Sequence, residues 1–437
     1  MLEEPDVTLR LLLMSLASSL AAVLGAPGAV LAVMFGFLLL VRTRRQPGFD
    51  SVEVTVFVGV VVVALIALGT DLIRIPEVAG LELAIWMAPP VVIAVVGVAR
   101  YVRRKDISPV TSLVLVAAVA AAGAGVMVDH AGTNVGVDVY LSHVAAADAL
   151  ADGENPYTDA VRYPNGSPFA EEGAVLEGYS YPPVTLWAYA VSTWVTGDPR
   201  WLNVAAWVGV VCAILWRLFR QRPDRVVAFA LVLAVAPAWR LVVFTGWTEP
   251  LTIALLVGAA LAWRKTTIGS GILLGLALAS KQYMILLAPL LLLHRDRGQS
   301  RRLAAAGVTA AATLLPYAVA DLDVYVDRLI TRPLSLGYRP DTQSLPGLLD
   351  RLGVSPEIPL VAALLAVMAV SWAVTRSPRG PDTFLVGAAT VMAVFFLLSL
   401  GFANYWFLVA ALLICGAAFV PVEPIPGTAR VSSFGRD

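Results

Sequence analysis

Long apolar runs, each closed off by basic residues, constrain this chain more than any other feature. Runs near the roughly 20 residues that cross a bilayer as a helix recur along most of its length. Only 14% of the residues are charged, against roughly 25% in soluble domains. A membrane β-barrel would show short alternating segments instead. The expected fold is therefore all-α, a polytopic transmembrane helical bundle of about 11–13 spans.

The basic clusters orient the bundle. Arg42 to Arg45, Arg100 to Lys105, Arg217 to Arg225, Arg264-Lys265, Arg295 to Arg302 and Arg376 to Arg379 separate the apolar runs. The positive-inside rule assigns them to the cytoplasm, so the intervening loops face outward. Lys+Arg and Asp+Glu balance at 31 each, so net charge points to no nucleic-acid partner. Cys212 and Cys415 sit inside apolar runs and read as packed thiols rather than a disulfide framework. The N-terminal MLEEPDVTLRLLL lacks a basic n-region and a clear cleavage site, so no removed signal peptide is expected.

Residues 9–41 form one kinked span or a tight hairpin. Val52 to Leu72, Leu81 to Val98 and Val110 to Val128 follow as spans. The spans up to residue 106 read as an accessory N-terminal bundle. Residues 107–420 read as the catalytic unit, with outer loops at 129–183 and 321–356, and 421–437 as a cytoplasmic tail. After Pro183, charge decides the topology. Two crossings would place Arg217 to Arg225 outside, so Val184 to Val195 is expected as a juxtamembrane helix and Leu202 to Leu218 as the span. Ile268 to Leu293 runs between two basic clusters. It is expected as a short helical hairpin turning near Ser280-Lys281-Gln282. A lysine at that apex is costly unless paired, and it reads equally as a snorkelling side chain or a phosphate contact. Gly401 to Trp406 is expected as a tight outer turn.

Polar and aromatic residues concentrate between Asp129 and Pro183. The other unusual residues expected on the same side are Glu249, Lys281, Arg332, Arg339, Asn404 and Tyr405. Such a set suits an anionic, lipid-linked substrate. A carboxylate serves as general base on an acceptor hydroxyl, lysine and arginine hold a phosphate, and aromatic rings stack on sugars. Taken alone, Asp138 reads more readily as a helix N-cap or a solvated loop carboxylate than as a general base, and Asp129 rivals it. Asn155-Pro156-Tyr157 reads as a turn, Pro182-Pro183 as a helix start, and Arg332 and Arg339 as loop charges or a phosphate grip. His130 and His143 lack a third ligand at metal spacing, so no metal or other cofactor is expected.

The segment resembles the first outer loop of the GT-C glycosyltransferases, most closely the polyprenyl-phosphate-mannose-dependent mannosyltransferases of the GT87 group. The resemblance rests on Asp138-Val139-Tyr140, on Gly153-Glu154-Asn155-Pro156-Tyr157 and on Tyr179-Ser180-Tyr181-Pro182-Pro183. It continues through the glycine-rich helix from Gly271 to Lys281 and ends at Phe402-Ala403-Asn404-Tyr405-Trp406. It implies an integral-membrane glycosyltransferase that moves a sugar from a polyprenyl phosphate donor to a lipid-linked or cell-envelope glycan acceptor. The implied location is the outer face of a prokaryotic plasma membrane, without a required metal. By the motif match Asp138 is the general base and Lys281 lies near the donor phosphate. Tyr140, Asn155, Tyr157, Tyr179, Tyr181, Asn404 and Tyr405, which lie in the matched motifs, are the implied substrate contacts, and Glu249, Arg332 and Arg339 join them as candidates from the same face. Where relatives carry glutamine-x-asparagine, this chain has Trp247-Thr248-Glu249, so mannose is a default. A transporter or flippase of lipid-linked saccharides is the alternative. No internal repeat of the transporter kind is evident.

Overall fold

The computed structural model describes residues 137–158, 160–162, 175–221, 238–294, 296, 298–335, 342, 344–354, 360–374, 380–399 and 401–419. The proposed accessory spans, Asp129, Arg339 and the tail lie outside these residues.

The described chain is helical except for one antiparallel pair of three-residue strands, β1 (Ala160–Arg162) and β2 (Val175–Glu177). They qualify the all-α expectation, for the short ladder lies in the segment between two helices of the polar loop. Helix α1 (Asp138–Ala151) precedes them and α2 (Pro183–Thr196) follows. Proline at the first helical position suits α2, since that N–H has no intrahelical acceptor. Gly197, in the left-handed region at φ 79°, ends it. One face of α2 buries Thr185, Leu186, Tyr189 and Ala190, while Trp187, Val191, Trp194 and Val195 are exposed. That two-faced, tryptophan-bearing helix has the character expected of a juxtamembrane element.

Helix α3 (Trp201–Gln221) is a separate element, 21 residues long and apolar enough to cross a membrane. It packs with α4 (Ala238–Thr245) and α5 (Glu249–Ala262). Next comes the hairpin: α6 (Thr267–Leu278), a break at Ala279–Lys281, a 3-10 turn over Gln282–Leu287, and α7 (Ala288–Leu293). The chain beyond α7 returns to the start of α6, for a Cβ on Gly298 would come 3.0 Å from the Thr267 side chain. Helix α8 (Gln299–Ala320) packs tightly on α6. A Cβ on Gly271 or Gly275 would come within 2.5 Å of the Arg302 or Ala306 carbonyl, so glycine permits this approach.

The second loop contributes α9 (Leu322–Val326), a π turn over Asp327–Thr331, α10 (Arg332–Ser335) and α11 (Leu345–Arg351). The chain closes with α12 (Leu360–Val374), α13 (Pro381–Leu398) and α14 (Ala403–Phe419). Helix α14 is buried along its length and forms the core with α3, α5 and α13. Asn404, Tyr405 and Trp406 belong to its first turn rather than to an open turn. The Phe402 carbonyl accepts from the Tyr405 and Trp406 amides at 3.0 and 3.2 Å and starts the helix there. Among the described residues, α3, α8 and α13 are long and apolar enough to cross a membrane. Shorter apolar helices flank them.

Candidate functional site

Lys281 occupies the break in the α6–α7 hairpin, in extended backbone at φ −150° and ψ 142°. The start of α2 holds that break. Val184 N–H donates to the Ala279 carbonyl at 3.2 Å, Thr185 Oγ1 to the Ser280 carbonyl at 2.5 Å, and Gln282 Nε2 to the Ser180 carbonyl. Ser280 Oγ reaches Thr252 Oγ1 of α5 at 3.0 Å. The lysine is thus fixed where the loop, α5 and the hairpin converge.

Its ammonium pairs with Glu249 Oε1 at 2.5 Å, and both side chains are almost fully buried. The same oxygen accepts from Asn404 Nδ2 at 2.8 Å and from Tyr283 Oη at 3.0 Å. The other carboxylate oxygen, Glu249 Oε2, is buried with no hydrogen-bond partner among the described residues. Three rings surround the ammonium: Tyr181, Tyr283 and Tyr405, with centroids 5.2, 5.4 and 5.5 Å from Nζ. Their quadrupoles add to the carboxylate in holding the cation. Burial pairs Lys281 inward rather than letting it snorkel, because a fully desolvated charge demands a counter-charge.

Asp138 opens α1, half-buried, and its Oδ1 accepts the Val139 amide at 2.9 Å. It also makes electrostatic contact with Tyr181. Burial first, and the Asp138 charge next, push the Tyr181 phenol well above its ordinary range, so it remains a donor. Tyr140 packs beside Val137, Val139, Tyr181 and Trp247. Its ring lies 4.6 Å from the Arg200 guanidinium, which is committed to buried Asp198.

The structure thus brings Asp138, Tyr140, Tyr181, Glu249, Lys281, Asn404 and Tyr405 to one end of the bundle. The remaining implied contacts have other roles in this geometry. Asn155 forms a turn, its Oδ1 accepting the Tyr157 amide at 3.1 Å. Tyr157 is buried among Tyr179, Tyr317 and Tyr325, and its Oη donates to the Tyr181 carbonyl at 3.0 Å. Tyr179 is buried with its hydroxyl on His143 Nδ1 at 3.0 Å. Arg332 pairs with Glu177 at 3.1 Å, and Arg328 with the same carboxylate at 3.4 Å. Gly178 lets this loop close, since at φ +69° a Cβ there would sit 2.2 Å from the Tyr157 carbonyl oxygen.

Three contributors escape sequence reading. Tyr283 is two residues beyond Lys281, where the 3-10 turn brings its hydroxyl back to Glu249. Tyr189 lies four residues beyond Thr185 on the buried face of α2, a period that could have exposed it. His143 stacks on Tyr189 at 4.0 Å, with its Nδ1 on the Tyr179 hydroxyl and a backbone contact at Gly246. Burial, and then the Lys281 ammonium, lower the His143 imidazole to about 3, so it is neutral at physiological pH. Among the described residues no three His, Cys, Asp or Glu side chains are grouped to hold a metal.

A model of glycosyltransferase family 87 matches residues 179–401, just over half of the chain. The matched stretch contains Tyr179, Tyr181, Glu249 and Lys281 and excludes Asp138, Tyr140, Asn155, Tyr157, Asn404 and Tyr405. No curated protein matches the chain. Among solved structures, the chain is similar to ArnT from Cupriavidus metallidurans bound to undecaprenyl phosphate. The identity is 18% and the TM-score 0.44, over 71% of this chain and 60% of ArnT. For ArnT in the apo state the identity is 17% and the TM-score 0.39, over 64% and 54%.

Proposed function

Because the chain belongs to glycosyltransferase family 87, we propose that it moves a hexose or pentose, mannose by default, from a polyprenyl phosphate sugar. The acceptor is a lipid-linked or cell-envelope glycan, and transfer takes place on the extracytoplasmic face of a prokaryotic plasma membrane. Family membership makes the protein an integral-membrane glycosyltransferase and replaces the transporter reading. The donor class follows the resemblance read in the sequence. It is supported by one observation above all. A buried ammonium, Lys281, stands inside a shell of tyrosine rings that also feels the Asp138 carboxylate.

In this reading the acceptor hydroxyl gives its proton to Asp138 as its oxygen bonds to the anomeric carbon. The bond from that carbon to the phosphate oxygen breaks, and its electron pair leaves with polyprenyl phosphate. Attack opposite the leaving group inverts the anomeric configuration. Lys281 offsets the charge that gathers on the leaving phosphate. Tyr140, Tyr181 and Tyr405 supply ring faces for the sugar, and Asn404 a polar contact beside them. Glu249 acts through Lys281. Tyr157, Tyr179 and Asn155 shape the loop, and Arg332, paired with Glu177, serves the loop's charged rim.

Sugar transfer from a radiolabelled polyprenyl phosphate sugar, in membranes containing wild type or Asp138→Asn, tests the reading. Transfer is expected to fall by about 100-fold or more at normal expression. Unchanged transfer in the variant removes Asp138 from the mechanism.

A further inference from the structure

We propose that Glu249 makes this site discriminate by phosphate charge. It admits a singly charged phosphodiester and disfavours the more highly charged phosphomonoester left after transfer. The inference rests on the donor class proposed above.

The observation is a cation that is already neutralised. Lys281 meets Glu249 at 2.5 Å with both side chains buried. Asn404 and Tyr283 donate to the same oxygen and hold the carboxylate in place. The second oxygen, Glu249 Oε2, is buried and has no donor among the described residues. Asp138 acts on the same tyrosine shell. Arg200 near Tyr140 is matched by Asp198 at 2.6 Å. Arg328 and Arg332 of the loop share Glu177. At the shell the Lys281 ammonium thus meets its own buried carboxylate, Glu249.

An isolated buried lysine would bind whichever anion carries more charge. This lysine would not. A sugar-linked polyprenyl phosphate is a diester and carries one negative charge. Once the sugar has left, the monoester carries roughly 1.5 to 2 charges at neutral pH. The extra charge faces Glu249 in a site where water does little screening, so repulsion there is strong. Glu249 is therefore a positioning and specificity residue. It holds Lys281 in place for the donor and weakens the hold on the spent carrier, which favours product release.

The test uses the full chain in lipid nanodiscs and two probes without a sugar, undecaprenyl phosphate and its methyl diester. Wild type is expected to bind the diester at least as tightly as the monoester. Glu249→Gln keeps the shape and removes the charge. It should tighten monoester binding about tenfold or more, with a smaller change for the diester, and it should deepen product inhibition in the transfer assay. Should the glutamine variant fail to fold, Glu249→Asn and the wild-type preference decide the matter. Wild type preferring the monoester, or an unchanged preference in a folded neutral variant, overturns the role of Glu249 and leaves the donor reading intact. If neither probe binds wild type, the donor reading fails and this inference with it.

Discussion

An ion pair stands near each end of the α6–α7 hairpin, fully enclosed at the apex and part-exposed at Asp296 beside the base, and the two are built differently. At its base Arg302 donates to both oxygens of Asp296 at 2.7 and 3.0 Å, to Gln299 Oε1 at 3.1 Å and to the Trp263 carbonyl at 3.1 Å. Its guanidinium lies 3.9 Å from the Trp263 ring centre, and Trp263 Nε1 donates back to Asp296 Oδ2 at 2.6 Å. Both carboxylate oxygens are used. At the apex Lys281 holds one oxygen of Glu249, which also serves two further donors, while the second oxygen has none among the described residues. Arginine's planar fork spreads its bonds over a fixed frame, whereas lysine is a point charge that can change partners. The base is thus a clamp on the hairpin's ends. The apex is a charge held ready for a ligand.

Exchanging the residues tests that division. Lys281→Met removes the cation and leaves Glu249 buried without its counter-charge. Transfer should fall about 100-fold or more, and the melting temperature in detergent should drop as well. Arg302→Met at the base should cost about 3 kcal/mol of stability yet leave transfer per folded molecule near wild type. Equal loss of specific activity in both variants would abolish the distinction between the two ends. Gly178→Ala strikes the loop that covers the apex. It forces a Cβ against the Tyr157 carbonyl at a positive φ, so a destabilisation of about 1–3 kcal/mol is expected. Limited proteolysis should then cut the loop between α1 and α2 faster than in wild type.

The smallest effect concerns pH. His143 is held to about 3 in the folded protein, with burial as the main cause, and titrates near 6.5 when unfolded. Its neutral form is therefore favoured by folding. That contribution is complete above about pH 6.5 and is lost as the pH falls toward 3. Between pH 6.5 and 5 the wild-type melting temperature should decline more steeply than that of His143→Gln. Parallel curves would show that the imidazole takes no part.

Much of the architecture was legible because its causes are local. Apolar runs and basic clusters separated α2 from α3 and folded residues 268–293 back at Lys281, since hydrophobic length and charge position act on a segment by itself. The two short strands and the helical start at Asn404 were not legible. The strands depend on pairing between Ala160–Arg162 and Val175–Glu177, and the helix start depends on a carbonyl at Phe402. In the site, Tyr181, Lys281, Glu249, Asn404 and Tyr405 were all named from sequence. Their arrangement was not, and neither was the inward commitment of Tyr157 and Tyr179 to loop packing.

The sequence by itself determined a membrane glycosyltransferase chain with a polar loop and a lysine at a hairpin apex. It left this lysine either to snorkel or to meet an anion, because an isolated charge in an apolar setting is costly. Only the tertiary structure decided the partner. Glu249 lies 32 residues before Lys281, and Asn404 lies 155 residues beyond Glu249. No local period links positions so far apart. They meet because α5, the hairpin and α14 pack around one core and bring their polar ends to the same place.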